Sequence, residues 1–275
     1  MRIYINGRFL SQRLTGVQRY AREVLEALDH LLAEEPPSGE HWEVLAPYDA
    51  KLPSLRAIKA RLVGPFRGHA WEQLSLPLAA RDGLLWSFGP TGPVLTRRQV
   101  VTFHDAAVYR VPEGFSRAFR GLYRLMMPAL ARQCRHIMTV SHFSRDELIR
   151  VLGIPLDRIT ISGEGHEHVF SISSDAGVIE KHKLSDKPFV LAVSSLAPYK
   201  NFSLVLRAVE LLAADQFEVV VAGGSNSHIF SRGEKSEADR GTKFVGYVSD
   251  EELRALYERA SLFIFPSRYE GFGLP

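Results

Sequence analysis

Residues 2–46 read RIYINGRFLSQRLTGVQRYAREVLEALDHLLAEEPPSGEHWEVLA. Arg2 to Asn6 is a short β-branched run, and Trp42 to Ala46 is a second. Between them Val17, Tyr20, Ala21, Val24, Leu25, Leu28, Leu31 and Leu32 recur at helical spacing, while Arg19, Arg22, Glu23, Glu26 and Asp29 fall on the other face. A strand, an amphipathic helix and a strand make a βαβ unit, whose two strands run parallel. The alternation continues through Leu84 to Phe88, Val100 to Phe103, Ile137 to Val140 and Ile159 to Ser162. The fold expected is α/β with a mostly parallel sheet.

From Ser171 to Lys187 the pattern dissolves into Ser, Gly, Asp and Lys, which reads as a linker. A second alternation then starts afresh. Phe189 to Val193, Phe217 to Val221, Phe244 to Val248 and Leu262 to Phe265 read as strands, with helices at Phe202 to Ala214 and Asp250 to Ala260. Ser249-x-x-Glu252 is a capping box, so its carboxylate is structural. The organisation expected is a domain at 1–170, a linker at 171–187 and a second domain at 188–275. A doubly wound half normally carries five or six strands. The sequence given ends at Pro275 just after the fourth, and the expectation is a second domain truncated there, with an unpaired edge.

The chain has 275 residues, 45% hydrophobic and 24% charged, and a net charge of +3, a balance that fits a two-domain globular protein and nominates no nucleic acid. Cys134 is the single cysteine, which excludes an intrachain disulfide and a cysteine-rich zinc site. The apolar stretch at Met1 is too short for a signal peptide, and no uncharged run approaches the ~18 residues of a spanning helix. A cytoplasmic protein is expected.

Ligands of open α/β sheets bind beyond the carboxyl ends of the strands. After strand one come Asn6-Gly7-Arg8 and then Thr15-Gly16-Val17, whose amides open a helix and could meet a phosphate. The competing reading is that Thr15-x-x-Gln18 is a capping box that satisfies those amides. A nicotinamide enzyme would carry G-x-G-x-x-G here and an acid after strand two, where Ala46-Pro47-Tyr48 stands instead. His104 and Asp105 leave the strand Val100 to Phe103 at its carboxyl end; the imidazole either polarises a bound substrate or is tied to the aspartate to shape the loop. In the second domain Lys200 lies near a helix start, within 194–201. A lysine there is misplaced by roughly 0.3–1 kcal/mol, whereas a charge-assisted bond to phosphate contributes about 1.5–3 kcal/mol. These magnitudes favour an anion site. After Leu262 to Phe265, Gly271 and Gly273 flank Phe272, allowing backbone to approach a ligand beside the Glu270 carboxylate.

Taken together, Thr15-Gly16-Val17-Gln18-Arg19-Tyr20, His104-Asp105, Thr139-Val140-Ser141-His142-Phe143-Ser144, Pro198-Tyr199-Lys200-Asn201 and Glu270-Gly271-Phe272-Gly273-Leu274-Pro275 resemble the retaining glycosyltransferases of family 4. The resemblance covers essentially the whole chain, and E-G-F-G-L-P after an apolar strand is its most specific motif. It implies the GT-B fold, two Rossmann-like domains facing a cleft, with acceptor on the first and nucleotide-sugar on the second. It implies that the Gly16 loop approaches the donor diphosphate, that Lys200 neutralises the leaving phosphate and that Glu270 holds donor-sugar hydroxyls. The amides of Phe272 to Leu274, beside Gly271 and Gly273, would contact sugar and phosphate, and His104 would lie beside the donor sugar. No metal and no cofactor are expected. The family often has an arginine shortly before the lysine, where Ser194 and Tyr199 stand here. A glutamate that holds the nucleotide ribose in the family would fall beyond Pro275.

Glu164, His166 and His168 alternate as metal ligands on one side of a strand would, although a polar wall at the end of domain one explains them more simply. Between Arg110 and Arg135, Arg117, Arg120, Arg124 and Arg132 interleave with Phe115, Phe119, Leu122, Leu125, Met126 and Leu130. Such a helix either lies on anionic lipid or buries its apolar face on the sheet. The function expected is hexose transfer, mannose or a relative, from a GDP- or UDP-sugar to a saccharide or lipid-linked acceptor in cell-surface polysaccharide or lipopolysaccharide synthesis. The alternative is a non-catalytic nucleotide-sugar-binding or vestigial fragment.

Overall fold

A computed structural model describes residues 1–36, 38–193, 195, 197–211, 216–224 and 242–274. The chain forms two compact units, one of Met1–Glu164 with Gly271–Leu274, the other of Gly165–Glu270.

The first unit is built on strands β1 (Arg2–Asn6), β2 (His41–Ala46), β3 (Lys59–Leu62), β4 (Leu84–Ser87), β5 (Gln99–Thr102), β6 (His136–Thr139) and β7 (Ile159–Ile161). They pair in the order β3-β2-β1-β4-β5-β6-β7, parallel throughout. The winding reverses between β1 and β4, the doubly wound arrangement whose crevice binds ligands. Alternate residues of each strand point to opposite faces. Ile5 and Val44 pack on Ala21 and Leu25 of the helix Gly16–Glu34, whereas Tyr4 and Leu45 pack on Trp71 and Leu76. Under β5 and β6, Val101, Phe103 and Ile137 meet Met127 and Leu130 of the helix Arg117–Gln133 and Leu148 of the helix His142–Leu152. That last helix starts at Ser141, whose hydroxyl accepts the Ser144 amide at 3.0 Å.

Periodicity misses β3, an edge strand of sequence Lys-Ala-Arg-Leu with no buried residue. It also misplaces Asp29. That carboxylate is buried and accepts the amides of Arg56, Ala57 and Ile58 at 2.8, 2.9 and 2.8 Å.

The second unit pairs β8 (Phe189–Val193), β9 (Glu218–Ala222), β10 (Thr242–Gly246) and β11 (Leu262–Phe263) in the parallel order β10-β9-β8-β11. The helices Phe202–Leu211 and Asp250–Arg259 cover its sheet, and residues 212–214 of the expected first helix lie outside the described residues. The Ser249–Glu252 capping box forms as read. Residues 171–187, expected as a linker, belong to this unit instead. They carry the short helix Gly177–Lys181, and Val178 and Leu184 enter the core beside Phe189 and Leu256. Val178 and Leu184, with Ile179 packed against the same cluster, dock a polar stretch, a signal too sparse for pattern reading. No helix among the described residues is long and apolar enough to cross a membrane.

Candidate active site

In the first unit the carboxyl end of β5 delivers His104, which is 8% exposed. Its Nε2 lies 3.0 Å from the Phe88 carbonyl and its Nδ1 3.0 Å from Glu164 Oε1. A carbonyl only accepts, so Nε2 carries a proton and donates it to Phe88. The edge of Tyr20, one turn into the helix that begins at Gly16, meets the His104 ring at 4.6 Å. Burial pushes the Tyr20 phenol above its ordinary range. Asp105 accepts the Ala107 amide at 2.7 Å and so shapes the turn, while the imidazole bonds to Phe88 and Glu164.

The motif segment Gly271–Leu274 belongs to this same unit. The Gly271 carbonyl accepts Ser141 Oγ at 2.5 Å and Ser144 Oγ at 3.0 Å, and Ser144 shares its proton with the His104 carbonyl at 2.7 Å. A Cβ at Gly271 would stand 2.5 Å from that His104 oxygen, so only glycine permits this approach. Gly273 has a left-handed φ of 95°, and Phe272 and Leu274 are exposed. Pro275 lies outside the described residues.

Gly16 opens its helix with free space around it. The capping box of the competing reading is not formed: the Thr15 hydroxyl donates to the Gln18 side-chain oxygen and caps no first-turn amide. Gln18 is drawn instead towards Gln12, whose oxygen accepts its Nε2 at 3.1 Å.

In the second unit, pairing of β11 with β8 makes neighbours of the loops that follow them. The Arg268 amide donates to the Tyr199 carbonyl at 2.8 Å, and Asn201 Nδ2 to the Pro266 carbonyl at 3.2 Å. Between these ties Lys200 Nζ donates to Glu270 Oε1 at 2.6 Å, with the two side chains 18% and 23% exposed. The rings of Tyr199 and Phe265 stand 5.4 and 5.8 Å from the ammonium. The counter-charge of the helix-start lysine is thus a carboxylate of the protein. Ser194 and Leu196 of the same loop lie outside the described residues.

The sequence-read residues therefore fall into two constellations: His104, the Gly16 helix and Gly271–Leu274 in one unit, Lys200 and Glu270 in the other. The sequence expectation for Glu164, with His166 and His168, is a strand of ligands or a polar wall. Glu164 is the partner of His104, and residues 162–166 form no strand. His166 packs against Phe170 at 5.8 Å. Among the described residues no group of three His, Cys, Asp or Glu side chains is gathered to hold a metal ion. The one sequence signal for Glu164 was its place between two glycines just after the last strand of the sheet.

Two family models match the chain: Glycosyltransferase Family 4 over residues 55–165, and Glycosyl transferases group 1 over 178–275. O-antigen chain mannosyltransferase B of Escherichia coli is 30% identical over 192 residues, covering 66% of this chain and 50% of that protein. Serotype-specific mannosyltransferase WbdA of Escherichia coli is 30% identical over 99% of this chain and 35% of its own length. The chain thus spans between a third and a half of these curated relatives. Among solved structures, sucrose-phosphate synthase from Thermosynechococcus elongatus superposes with a TM-score of 0.66 at 16% identity, over 99% of this chain and 77% of that one. Anabaena Alr3699/HepE in complex with UDP and glucose gives 0.64 at 14% identity, over 99% and 76%. At these identities the structures establish likeness of fold.

Proposed function

This chain belongs to the group 1 and family 4 glycosyltransferases of GT-B fold, and we propose that it is a retaining, metal-independent hexosyltransferase. Its donor is a GDP- or UDP-sugar and its acceptor a saccharide or lipid-linked saccharide of cell-surface polysaccharide synthesis. Mannose is the sugar favoured, since both curated relatives described above are named mannosyltransferases. The observation that carries the reading is the Lys200–Glu270 pair, a cation and a carboxylate 2.6 Å apart at the end of the second sheet.

In the transfer the bond from sugar C1 to the diphosphate oxygen breaks, and a bond from the acceptor oxygen to C1 forms on the same face. The acceptor's proton passes to the departing phosphate oxygen. Negative charge grows on that phosphate, and a preorganised ammonium stabilises it without waiting for solvent to reorganise. Lys200 supplies this charge, Glu270 holds donor-sugar hydroxyls, and the amides of Gly16 and of Phe272–Leu274 are the neutral donors. His104 lies beside the donor sugar as a ring fixed by Glu164 and Phe88.

The test is a panel of GDP- and UDP-sugars with mannose oligosaccharide acceptors, run with and without EDTA, the product anomer read by NMR. Transfer with retention, insensitive to EDTA and abolished by Glu270→Ala, is expected. Inversion or EDTA inhibition overturns the mechanism, and donor binding without any turnover would favour the non-catalytic reading.

The location proposed is the cytoplasmic face of a membrane, held peripherally. The helix Arg117–Gln133 buries Met126, Met127, Leu130 and Ala131 yet exposes Phe119, Leu122 and Leu125 beside Arg117 and Arg124. Phe119 stacks on Tyr123 at 4.0 Å, stiffening the exposed apolar strip. Each basic residue at an anionic surface contributes about 1 kcal/mol. Co-sedimentation with vesicles containing anionic phospholipid, lost at high salt, is expected; no co-sedimentation at low salt retires the idea.

A further inference from the structure

Two hydrogen bonds hold the His104 ring, and two do not fix it. Nε2 faces the Phe88 carbonyl and Nδ1 faces Glu164, each at 3.0 Å. Contacts through ring nitrogens lie in the plane of the imidazole. They set where the ring stands and leave it able to pivot about the line that joins its two partners. The missing restraint comes from another element. The Tyr20 and His104 rings lie 4.6 Å apart between centroids, with their planes at 88°. A perpendicular ring at this distance fills the space through which the imidazole would turn, in the arrangement that aromatic pairs favour.

Tyr20 is itself held at three points. Its backbone lies in the helix Gly16–Glu34, and its ring packs on the core cluster that contains Ile5, Ala21 and Phe88. Its hydroxyl stands 3.3 Å from Ser162 Oγ. Ser162 donates its own proton to the Thr139 carbonyl at 3.3 Å, so the phenol is the donor to Ser162. Burial, opposed by that hydrogen bond, holds the phenol above its ordinary 10.0, and the donor persists through neutral pH. Ser162 follows β7 directly and stands two residues before Glu164, with Gly163 between them at a left-handed φ of 70°. One side chain thus touches the imidazole and also the segment that delivers its carboxylate partner.

Packing alone does not ask for this. Tyr20 occupies an apolar position of the helix wheel, where its neighbours Val17, Val24, Leu25 and Leu28 are aliphatic. A leucine would face the core as well; what it lacks is the perpendicular ring and the hydroxyl that reaches past β7. Tyr20 also lies four residues after Gly16, about 6 Å along the helix from the amides assigned above to the donor diphosphate. A shift of that first turn is carried to His104 through a single rigid side chain.

We propose that Tyr20 is a positioning residue of sugar transfer, bracing the His104 ring and the Ser162–Glu164 segment against the first turn of the Gly16 helix. Its effect on transfer rests on the transferase reading; its hold on His104 does not. The experiment uses the full chain with Tyr20→Leu, Tyr20→Phe and Tyr20→Leu combined with His104→Ala. Solvent exchange of the His104 Nε2 proton is followed by NMR without donor, the resonance being identified by its loss in His104→Ala. Transfer from GDP- and UDP-sugars is measured in parallel.

Tyr20→Leu should speed that exchange by about tenfold or more and lower kcat by about 100-fold, the cost of a misplacement near 1 Å, with donor KM within about threefold. Tyr20→Phe keeps the ring and loses only the Ser162 bond, so kcat should fall by about two- to tenfold. On the His104→Ala background Tyr20→Leu should cost less than about threefold, because the group it positions is gone. An equal loss in both backgrounds, or an Nε2 proton that exchanges at the wild-type rate in Tyr20→Leu, overturns the brace and leaves Tyr20 a packing residue. Faster exchange in a chain that transfers no sugar would sink the transferase reading and leave the brace standing. Transfer unaltered by Tyr20→Leu would do the reverse. Should Tyr20→Leu not fold, Tyr20→Phe and Ser162→Ala, which cut the hydroxyl tie alone, decide by the same proton exchange.

Discussion

Replacing Gly271 by alanine adds one methyl group where the chain has no room for it. The new Cβ would stand 2.5 Å from the His104 carbonyl oxygen, 3.0 Å from Asp105 Cβ and 3.2 Å from Ser144 Oγ. The nearest obstacle is backbone on the buried end of β5, so the loop must move rather than its neighbour. Restoring ordinary contact at 3.4 Å takes a shift of roughly 1 Å, a misplacement that can cost about 100-fold in rate. Two routes give the same stability cost. Forcing the methyl in place costs about 1–3 kcal/mol as overpacking. Releasing the loop forfeits the Ser141 and Ser144 bonds to the Gly271 carbonyl, at about 0.5–1.5 kcal/mol each. The expected outcome is a kcat/KM for sugar transfer lower by one to two orders of magnitude, with a thermal midpoint lower by about 2–4 °C per kcal/mol. Gly121→Ala is the control. Its Cβ meets open space on the exposed face of the helix Arg117–Gln133, and the substitution should stabilise by about 1 kcal/mol. Unchanged kinetics and melting in Gly271→Ala would refute the reasoning, because the steric argument leaves no alternative placement for the methyl.

Lys200→Met removes the ammonium that faces Glu270, and kcat should fall by about 10²–10³, as when one charge-stabilising donor is lost; steady-state transfer assays read it, and a fall below threefold would count against the phosphate role. Glu164→Gln keeps the shape of the His104 contact but exchanges a charged hydrogen bond for a neutral one, a difference of about 1–1.5 kcal/mol, so kcat should drop about tenfold. Asp29→Asn cannot serve three amides as the carboxylate does, and urea melts should show a loss of about 1–3 kcal/mol. Burial pushes the Glu72 carboxyl up, but the His69 hydrogen bond, the Arg8 charge and the bonds from Asn6 and Thr91 outweigh it and hold it below its ordinary 4.5. A carboxyl depressed on folding stabilises fully above the unfolded value and loses that contribution as pH falls through the folded one. Stability should therefore decline with acid below pH 4.5, and Glu72→Gln should flatten that decline in melts followed against pH.

Legibility differed between elements for physical reasons. The helix Gly16–Glu34 and strands β1 and β2 were readable because their apolar residues recur at the period of the structure they form. The edge strand β3 exposes most of its surface and so leaves no such trace. Asp29 sits at a polar position of the helix wheel, yet the loop 56–58 folds over it and turns an apparent solvent face inward. Thr15-x-x-Gln18 carried the letters of a capping box, but Gln18 is bound to Gln12 and the box does not close. At Ser249 and Glu252 nothing competes, and the same pattern forms.

The candidate site divides along the same line. Local sequence determined that His104 and Lys200 would follow strands, that Gly271 and Gly273 would flank an aromatic beside a carboxylate, and that two α/β units would build the chain. Those properties depend on neighbours a few residues away, which a periodic pattern records. The pairing of His104 with Glu164, of Lys200 with Glu270, of Asn6 with Glu72 and of Gly271 with Ser144 was decided only by the tertiary structure. Each joins residues separated by 60 positions or more, brought together by the order in which parallel strands pair. A side chain's type says which bonds it can make; which partner stands within 3 Å is a property of the sheet.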